Sequence, residues 1–219
     1  MAKNEAQRFE TLLRKRGTKL AGNAKIEREI LTRYQDNCSV LVLDTSGFTR
    51  LTQKHGIIHF LSLVVAMHDI VKPVIARYSS LGYWGEADNI YATFPTARSA
   101  VQCALKIQQE IAKGNKSREV EEHLEVCIGI GSGRMLRIGD SDCFGDPMNQ
   151  ACKLGEDIAK PRQVLITTET HDEISDQVSG LKFERRITRI SGVTLKYFVL
   201  LPGVRVSWKP VAPPRKRTL

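Results

Sequence analysis

A short run of apolar, partly β-branched residues from Cys38 to Leu43 ends in a lone carboxylate, Asp44. It then turns through Thr45-Ser46-Gly47 towards a segment, Ile57 to Tyr78, whose apolar residues recur at helical spacing. A buried strand that stops on an acid and re-enters through a glycine turn into a long amphipathic helix demands a sheet with that helix packed on it. Two roles are open to Asp44 at this point. It can cap the helix, or it can hold a cation while the N–H groups of the turn receive phosphate oxygens.

The 219 residues and their 42% hydrophobic content allow one large domain with appendages. No apolar run approaches the ~20 residues of a membrane span, and Met1-Ala-Lys-Asn-Glu lacks the apolar core of a secretory signal. The five cysteines are odd in number, have no C-x-x-C pair, and read as small buried hydrophobes of a reducing compartment. The expectation is a soluble cytoplasmic protein. The net charge of +9 is concentrated near the ends, in Arg14-Lys15-Arg16 and Arg215-Lys216-Arg217. With few aromatics and no nucleic-acid motif, that charge predicts a solvated basic surface, or attraction for a polyanionic small molecule, rather than nucleic-acid binding.

Residues 1–36 read as two short helices broken between Gly17 and Asn23. Asp88 is expected in a hairpin between Gly82 and Phe94, which brings it beside the strand carrying Asp44. Pro95 to Gly114 is a second helix, and Glu125 to Gly131 a further strand that Arg134 to Gly139 extends. Phe144-Gly145-Asp146-Pro147 leads into a third helix, Met148 to Asp157, with Asp146 as its N-cap. Val164 to Thr167 is a strand, Thr168 to Ile174 a short helix, and Phe183 to Thr188 with Thr194 to Leu201 a closing hairpin. The predicted class is α+β: a ferredoxin-like βαββαβ core, enlarged, with helices on one face of an antiparallel-rich sheet. The boundaries are a helical extension over 1–36, a catalytic domain over 37–201, and a basic disordered tail over 202–219.

Three stretches then stand out in order: Asp44-x-x-Gly47-Phe48-Thr49-x-Leu51, Asp88-(x)5-Phe94, and Phe144-Gly145-Asp146-x-x-Asn149-x-Ala151, with Phe94-Pro95-x-Ala97 and Gly129-x-Gly131 between them. Together they resemble the class III nucleotidyl cyclases, the adenylate and guanylate cyclase family, over about residues 38–200. The resemblance implies cyclisation of a nucleoside triphosphate to a 3′,5′-cyclic nucleotide with release of pyrophosphate. It implies two Mg²⁺ or Mn²⁺ ions per site held by Asp44, Asp88 and the carbonyl of Thr45, with N–H groups of Ser46, Gly47, Phe48 and Thr49 on the phosphates. Asn149 would orient the ribose. Arg189, or Arg186 in its place, would meet the triphosphate tail. It also implies a homodimer, the metal residues coming from one subunit and the base and ribose residues from the other.

Two positions depart from the family pattern. Lys153 stands where the family usually has the arginine that stabilises charge at the α-phosphate; it keeps the charge without the two-pronged geometry. Trp84 stands where adenylate cyclases have a purine-reading lysine and guanylate cyclases a glutamate, while Asp142 matches the aspartate of the adenylate type. An indole occupies volume that a purine's second ring would need. A pyrimidine substrate, UTP or CTP, is therefore favoured narrowly, and the small domain is similar to stand-alone bacterial pyrimidine cyclases of the anti-phage type, whose product a separate effector reads. The alternatives are an adenylate cyclase, with Trp84 stacking on adenine or packing in the core, and a silent cyclase-like module.

Overall fold

The structure, a computed structural model, describes residues 2–190 and 192–210. At its centre lies β1 (Gln35–Thr45), paired antiparallel with β3 (Asn89–Phe94) on one side and β4 (Val126–Ile138) on the other. Outside β3 is β2 (Gly82–Glu86). Beyond β4 come β6 (Val164–Thr167), β8 (Val193–Trp208) and β7 (Val178–Ile190), and a short strand, β5 (Asp142–Phe144), pairs with β4 off the main path. The β4–β6 pair is parallel; the others are antiparallel. The core order β2-β3-β1-β4, with helices after β1 and β3, is the predicted βαββαβ plan.

Apolar residues line both faces of β1, which is why its sequence reads as a continuous apolar run rather than an alternation. Leu41 and Leu43 point to one face, where α4 (Ile57–Arg77) and α5 (Ala97–Gly114) cover them. Val40 and Val42 point to the other, where α6 (Asp146–Cys152) lies. The expectation of helices on one face is therefore corrected: α6 and the π-helical turn that continues it, Lys153–Ile158, occupy the opposite face. The third helix is also shorter than expected as an α-helix. Its N-cap is Gly145, not Asp146, whose carboxylate accepts from Gln150 Nε2 at 2.7 Å.

By length and composition alone α4 is apolar enough to cross a membrane, although His59, His68, Asp69 and Lys72 interrupt its apolar run, and Pro73 does not end it. Its residues Phe60, Leu63, Met67, Val71 and Ile75 are buried in the sheet-facing core. At the N-terminus, α1 (Ala2–Arg16) and α2 (Ala24–Tyr34) form the expected helical pair, which packs through Phe9, Leu12, Ile30 and Tyr34 on Ile138 of β4. The short helix α7 (Thr168–Ile174) follows β6 as predicted.

The closing hairpin runs well past Leu201. Val178 pairs with Trp208 and Ser179 with Ser207, so residues 202–208 are strand and not tail. Prolines and basic residues masked the alternation Arg205-Val206-Ser207-Trp208. Pro202 is accommodated opposite Leu181, at a register irregularity where a ladder hydrogen bond is dispensable. Residues 211–219 of the predicted tail lie outside the described residues.

Candidate active site

Asp44 is the penultimate residue of β1, and Asp88 sits in the two-residue loop between β2 and β3. The registers Leu43↔Ile90 and Glu86↔Asn89 bring that loop beside the end of β1. Ala87 adopts left-handed backbone there, φ +54°, at a cost on the order of 1 kcal/mol for a residue with a Cβ. The Thr45 hydroxyl donates to Asp88 Oδ2, tying the two loci together. Asp44 is half-buried. Burial first, then the charges of Asp88 and Glu156, push its carboxyl from the usual 3.8 up to about 6, against the pull of a hydrogen bond from the Thr45 backbone N–H.

Glu156 went unrecognised in the sequence. It lies in the π-helical turn, where the Ala159 N–H reaches back to the Leu154 carbonyl at 2.8 Å. Its Oε1 accepts from Tyr91 Oη at 3.2 Å and from Asn89 Nδ2 at 3.3 Å. Loss of water around the carboxyl raises its pKa as well. The widened turn redirects this side chain, and ordinary helical periodicity gives no sign of that.

The turn after β1 differs from expectation in one donor. The Ser46 N–H is already committed to the Glu125 carbonyl at 2.8 Å and is not offered outward. Gly47, at φ +91°, begins α3 (Phe48–His55) with no capping side chain. The first-turn N–H groups of Phe48, Thr49 and Arg50 therefore have no intrahelical acceptor. The exposed Phe48 ring packs edge-on against Phe60, centroids 4.6 Å apart.

On the opposite face, Gly129 and Gly131 let α6 lie flat on β4. A Cβ at Gly129 would stand 2.1 Å from the Ala151 carbonyl oxygen, and one at Gly131 2.2 Å from that of Pro147. The close approach sets Asn149 exposed, one turn into α6, and Lys153 half-buried one turn further on, its N–H donating to the Asn149 carbonyl. Trp84 of β2 stacks on Tyr91 of β3 at 5.5 Å between centroids and 16° between planes. It packs against the cluster that holds Cys143, next to Asp142. The Asp142 carboxylate accepts from the Cys143 N–H at 2.8 Å, and burial raises its pKa.

Among the described residues, neither Asn149 nor Lys153 makes a side-chain hydrogen bond or ion pair to Asp44 or Asp88. Arg189 is not brought to the acids within one chain. It sits at the tip of β7, with β4, β6 and β8 between it and β1, or ~19 Å of sheet. Arg186 on the same strand is paired with Glu184.

No set of three or more His, Cys, Asp or Glu side chains forms a metal cluster among the described residues. Two converging carboxylates, with the remaining ligands left to water, a backbone carbonyl and phosphate oxygens, are nonetheless the donor set that suits Mg²⁺. Burial lifts Asp44 most, and the neighbouring charges of Asp88 and Glu156 add to it; a divalent cation would offset both by favouring the ionised carboxylate, so the residues fit such an ion.

This sheet, with an acid pair at the end of its central strand and an asparagine-bearing helix on the far face, defines a nucleotidyl cyclase catalytic fold. The chain belongs to the adenylate and guanylate cyclase catalytic domain family, whose model matches residues 31–201. It is 25% identical over 136 residues to a Rhizobium meliloti (strain 1021) protein named "Putative adenylate cyclase 3". That match takes in 62% of this chain but only 23% of the relative, so the chain spans about a quarter of that protein's length. Among solved structures it resembles an adenylate/guanylate cyclase/hydrolase from Silicibacter pomeroyi, with TM-score 0.65, 25% identity, and 81% of this chain and 98% of that one covered. It shares its fold with the adenylyl cyclase CyaB from P. aeruginosa, with TM-score 0.64, 17% identity, and 78% and 96% covered.

Proposed function

We propose that this protein is a metal-dependent nucleotidyl cyclase whose substrate is a pyrimidine nucleoside triphosphate, UTP or CTP. The observation that carries the reading is the convergence of Asp44 and Asp88 beside the uncapped N-terminus of α3. In the reaction O3′ of the ribose forms a bond to the α-phosphorus, the bond from that phosphorus to the β-bridging oxygen breaks, and the O3′ proton departs with pyrophosphate as leaving group.

Asp44, Asp88 and the Thr45 carbonyl would hold two Mg²⁺ or Mn²⁺ ions. Such ions, when bound, make O3′ easier to deprotonate and neutralise charge on the triphosphate. The N–H groups of Gly47, Phe48 and Thr49 would meet the terminal phosphates, the macrodipole of α3 favouring their charge. Asn149 would hold the ribose and Lys153 the charge that grows at the α-phosphate. Both would come from a partner subunit of a homodimer, as would Arg189 on the triphosphate tail. Among the described residues none of these side chains is hydrogen-bonded or ion-paired to Asp44 or Asp88 of its own chain, which supports that arrangement.

Trp84 supports the pyrimidine reading. Its indole is already stacked on Tyr91 and packed against the cluster that includes Cys143, which supports a role for it on the base side of the site. Asp142 would accept from the exocyclic amine of cytosine or the ring N–H of uracil. The product would act as a second messenger in the cytoplasm, read by a separate effector in anti-phage defence. The five cysteines are free thiols, in keeping with that compartment. A second reading, cyclisation of ATP, draws on Asp142 as an acceptor for the adenine amine.

The test is incubation of the protein with each of the four ribonucleoside triphosphates and Mn²⁺. UTP or CTP should be cyclised at least tenfold faster than ATP, and Trp84→Ala should narrow that ratio by opening space for a second ring. Asp44→Asn and Asp88→Asn should each remove product while leaving the circular dichroism spectrum unchanged. Faster turnover of ATP would hand the site to the second reading. No product from any of the four would make the domain a silent module.

A further inference from the structure

A cleft of about 760 Å³ opens on the α5 face of the sheet, between that helix, the segment following it and the far end of β8. Its floor is Val164 and Leu200, and its walls include Leu105 and Ile111 on one side and Val206 and Trp208 on the other. The β8 wall is held in place by Arg98. Its guanidinium lies 5.2 Å from the centre of the Trp208 ring and donates to the Lys209 carbonyl at 2.6 Å. A hollow of this volume, with an apolar floor and many polar side chains around it and left uncovered by the described residues, lies within the ~300–1,000 Å³ range of small-molecule sites.

The rim has one sign of charge. Lys106, Lys116 and Arg162 line it together with the imidazole of His123, and no aspartate or glutamate does. Lys106 is engaged by Glu110 at 2.7 Å and Arg162 by Glu125 at 2.8 Å. Lys116 and His123 have no ion-pair partner among the described residues. Arg162 is held in left-handed backbone, φ +68°, an uncommon conformation for a residue with a side chain. Gln108 is committed to the Val126 carbonyl at 3.1 Å and Asn115 to the Leu124 carbonyl at 2.7 Å, so Lys116 is the lining cation without an ion pair among the described residues, with His123, Gln102 and Gln109 as further donors.

We infer that this cleft binds a small amphipathic anion: an aliphatic or aromatic body on the Val164–Leu200 floor, with a single carboxylate head at Lys116 and His123. A polyanion would leave the apolar floor unused, and a cation would meet like charge. The chain's own C-terminal segment, with Arg215, Lys216 and Arg217, carries the same sign as the rim and is a poor occupant. The site is separate from the acid pair, and the inference stands whichever triphosphate is the substrate.

The experiment titrates the full chain with decanoate and with decyltrimethylammonium, which share an apolar body and differ in the sign of the head group. Binding is read by the fluorescence of Trp208 in a Trp84→Phe background, where it is the single tryptophan of the sequence. Decanoate should shift the emission saturably, with the cation at least tenfold weaker. Lys116→Glu, an exposed change, should weaken decanoate at least fivefold, and Ala112→Phe, which fills the mouth from the exposed side of α5, should abolish the response. Equal binding of the two surfactants, or full decanoate affinity in both variants, would overturn the assignment. So would dissociation of a dimer by Ala112→Phe, since the hollow would then be covered by another copy of the chain.

Discussion

The chemistry of single residues turns on Asp44, whose carboxyl keeps its proton up to about pH 6 in the folded chain. Folding therefore binds that proton more tightly than the unfolded chain does. The stability so contributed is fully present below pH ~4 and is lost as pH rises through about 6. In EDTA, Asp44→Asn should be the more stable protein at pH 7, by roughly 1–2 kcal/mol after allowance for partial exposure, and the gap should close at pH 4. Thermal melts across that range measure it. Mn²⁺ should raise the melting temperature of the wild type and leave the variant unmoved; a gap indifferent to both pH and metal would dissolve the acid cluster. The positions of Asp44 at a strand end and Asp88 in a hairpin were legible in residue type, while their pairing as metal ligands came from the family resemblance. Glu156 was not legible, since its place depends on a helix widening.

Among the elements, α6 depends on two glycines that belong to another element, β4. Gly131→Ala would press a methyl group against the Pro147 carbonyl, and backbone there has nowhere flexible to yield. Overpacking of this kind costs ~1–3 kcal/mol, and the helix must move to relieve it. The prediction is a matching loss in denaturant unfolding, with a fall in cyclase activity larger than the fraction unfolded explains, because Asn149 and Lys153 travel with the helix. Activity that simply tracks the folded fraction would mean the position of α6 is not critical. Gly129-x-Gly131 was visible as a motif. What it accommodates, a helix and a π-helical turn lying against the strand, became apparent only from the packed pair.

For the whole molecule, neither Asn149 nor Lys153 is hydrogen-bonded or ion-paired to Asp44 or Asp88 among the described residues, and the proposed function puts the two sets on different subunits of a dimer. Asp88→Asn and Asn149→Ala should each be inactive alone. Mixed in equal amounts and allowed to exchange subunits, they should recover about a quarter of wild-type activity, because half the dimers are mixed and each of these has one intact site. Lack of recovery despite exchange, shown by a tagged subunit in pull-down, would place the complete site within one chain.

Most of the strands and helices, the acid at each chain reversal and the helix that bears Asn149 were readable from residue type and spacing, because local propensity and burial pattern act over a few residues; α3 and the short strand β5 were not. Three features needed the tertiary structure. The widening of the turn at Lys153–Ile158 depends on how α6 settles against β4 and β6. The continuation of β8 to Trp208 needs β7 beside it to satisfy its backbone. The cleft over Val164 and Leu200 exists only where separate elements come close without closing, and separations of that kind are set by packing between segments distant in the chain.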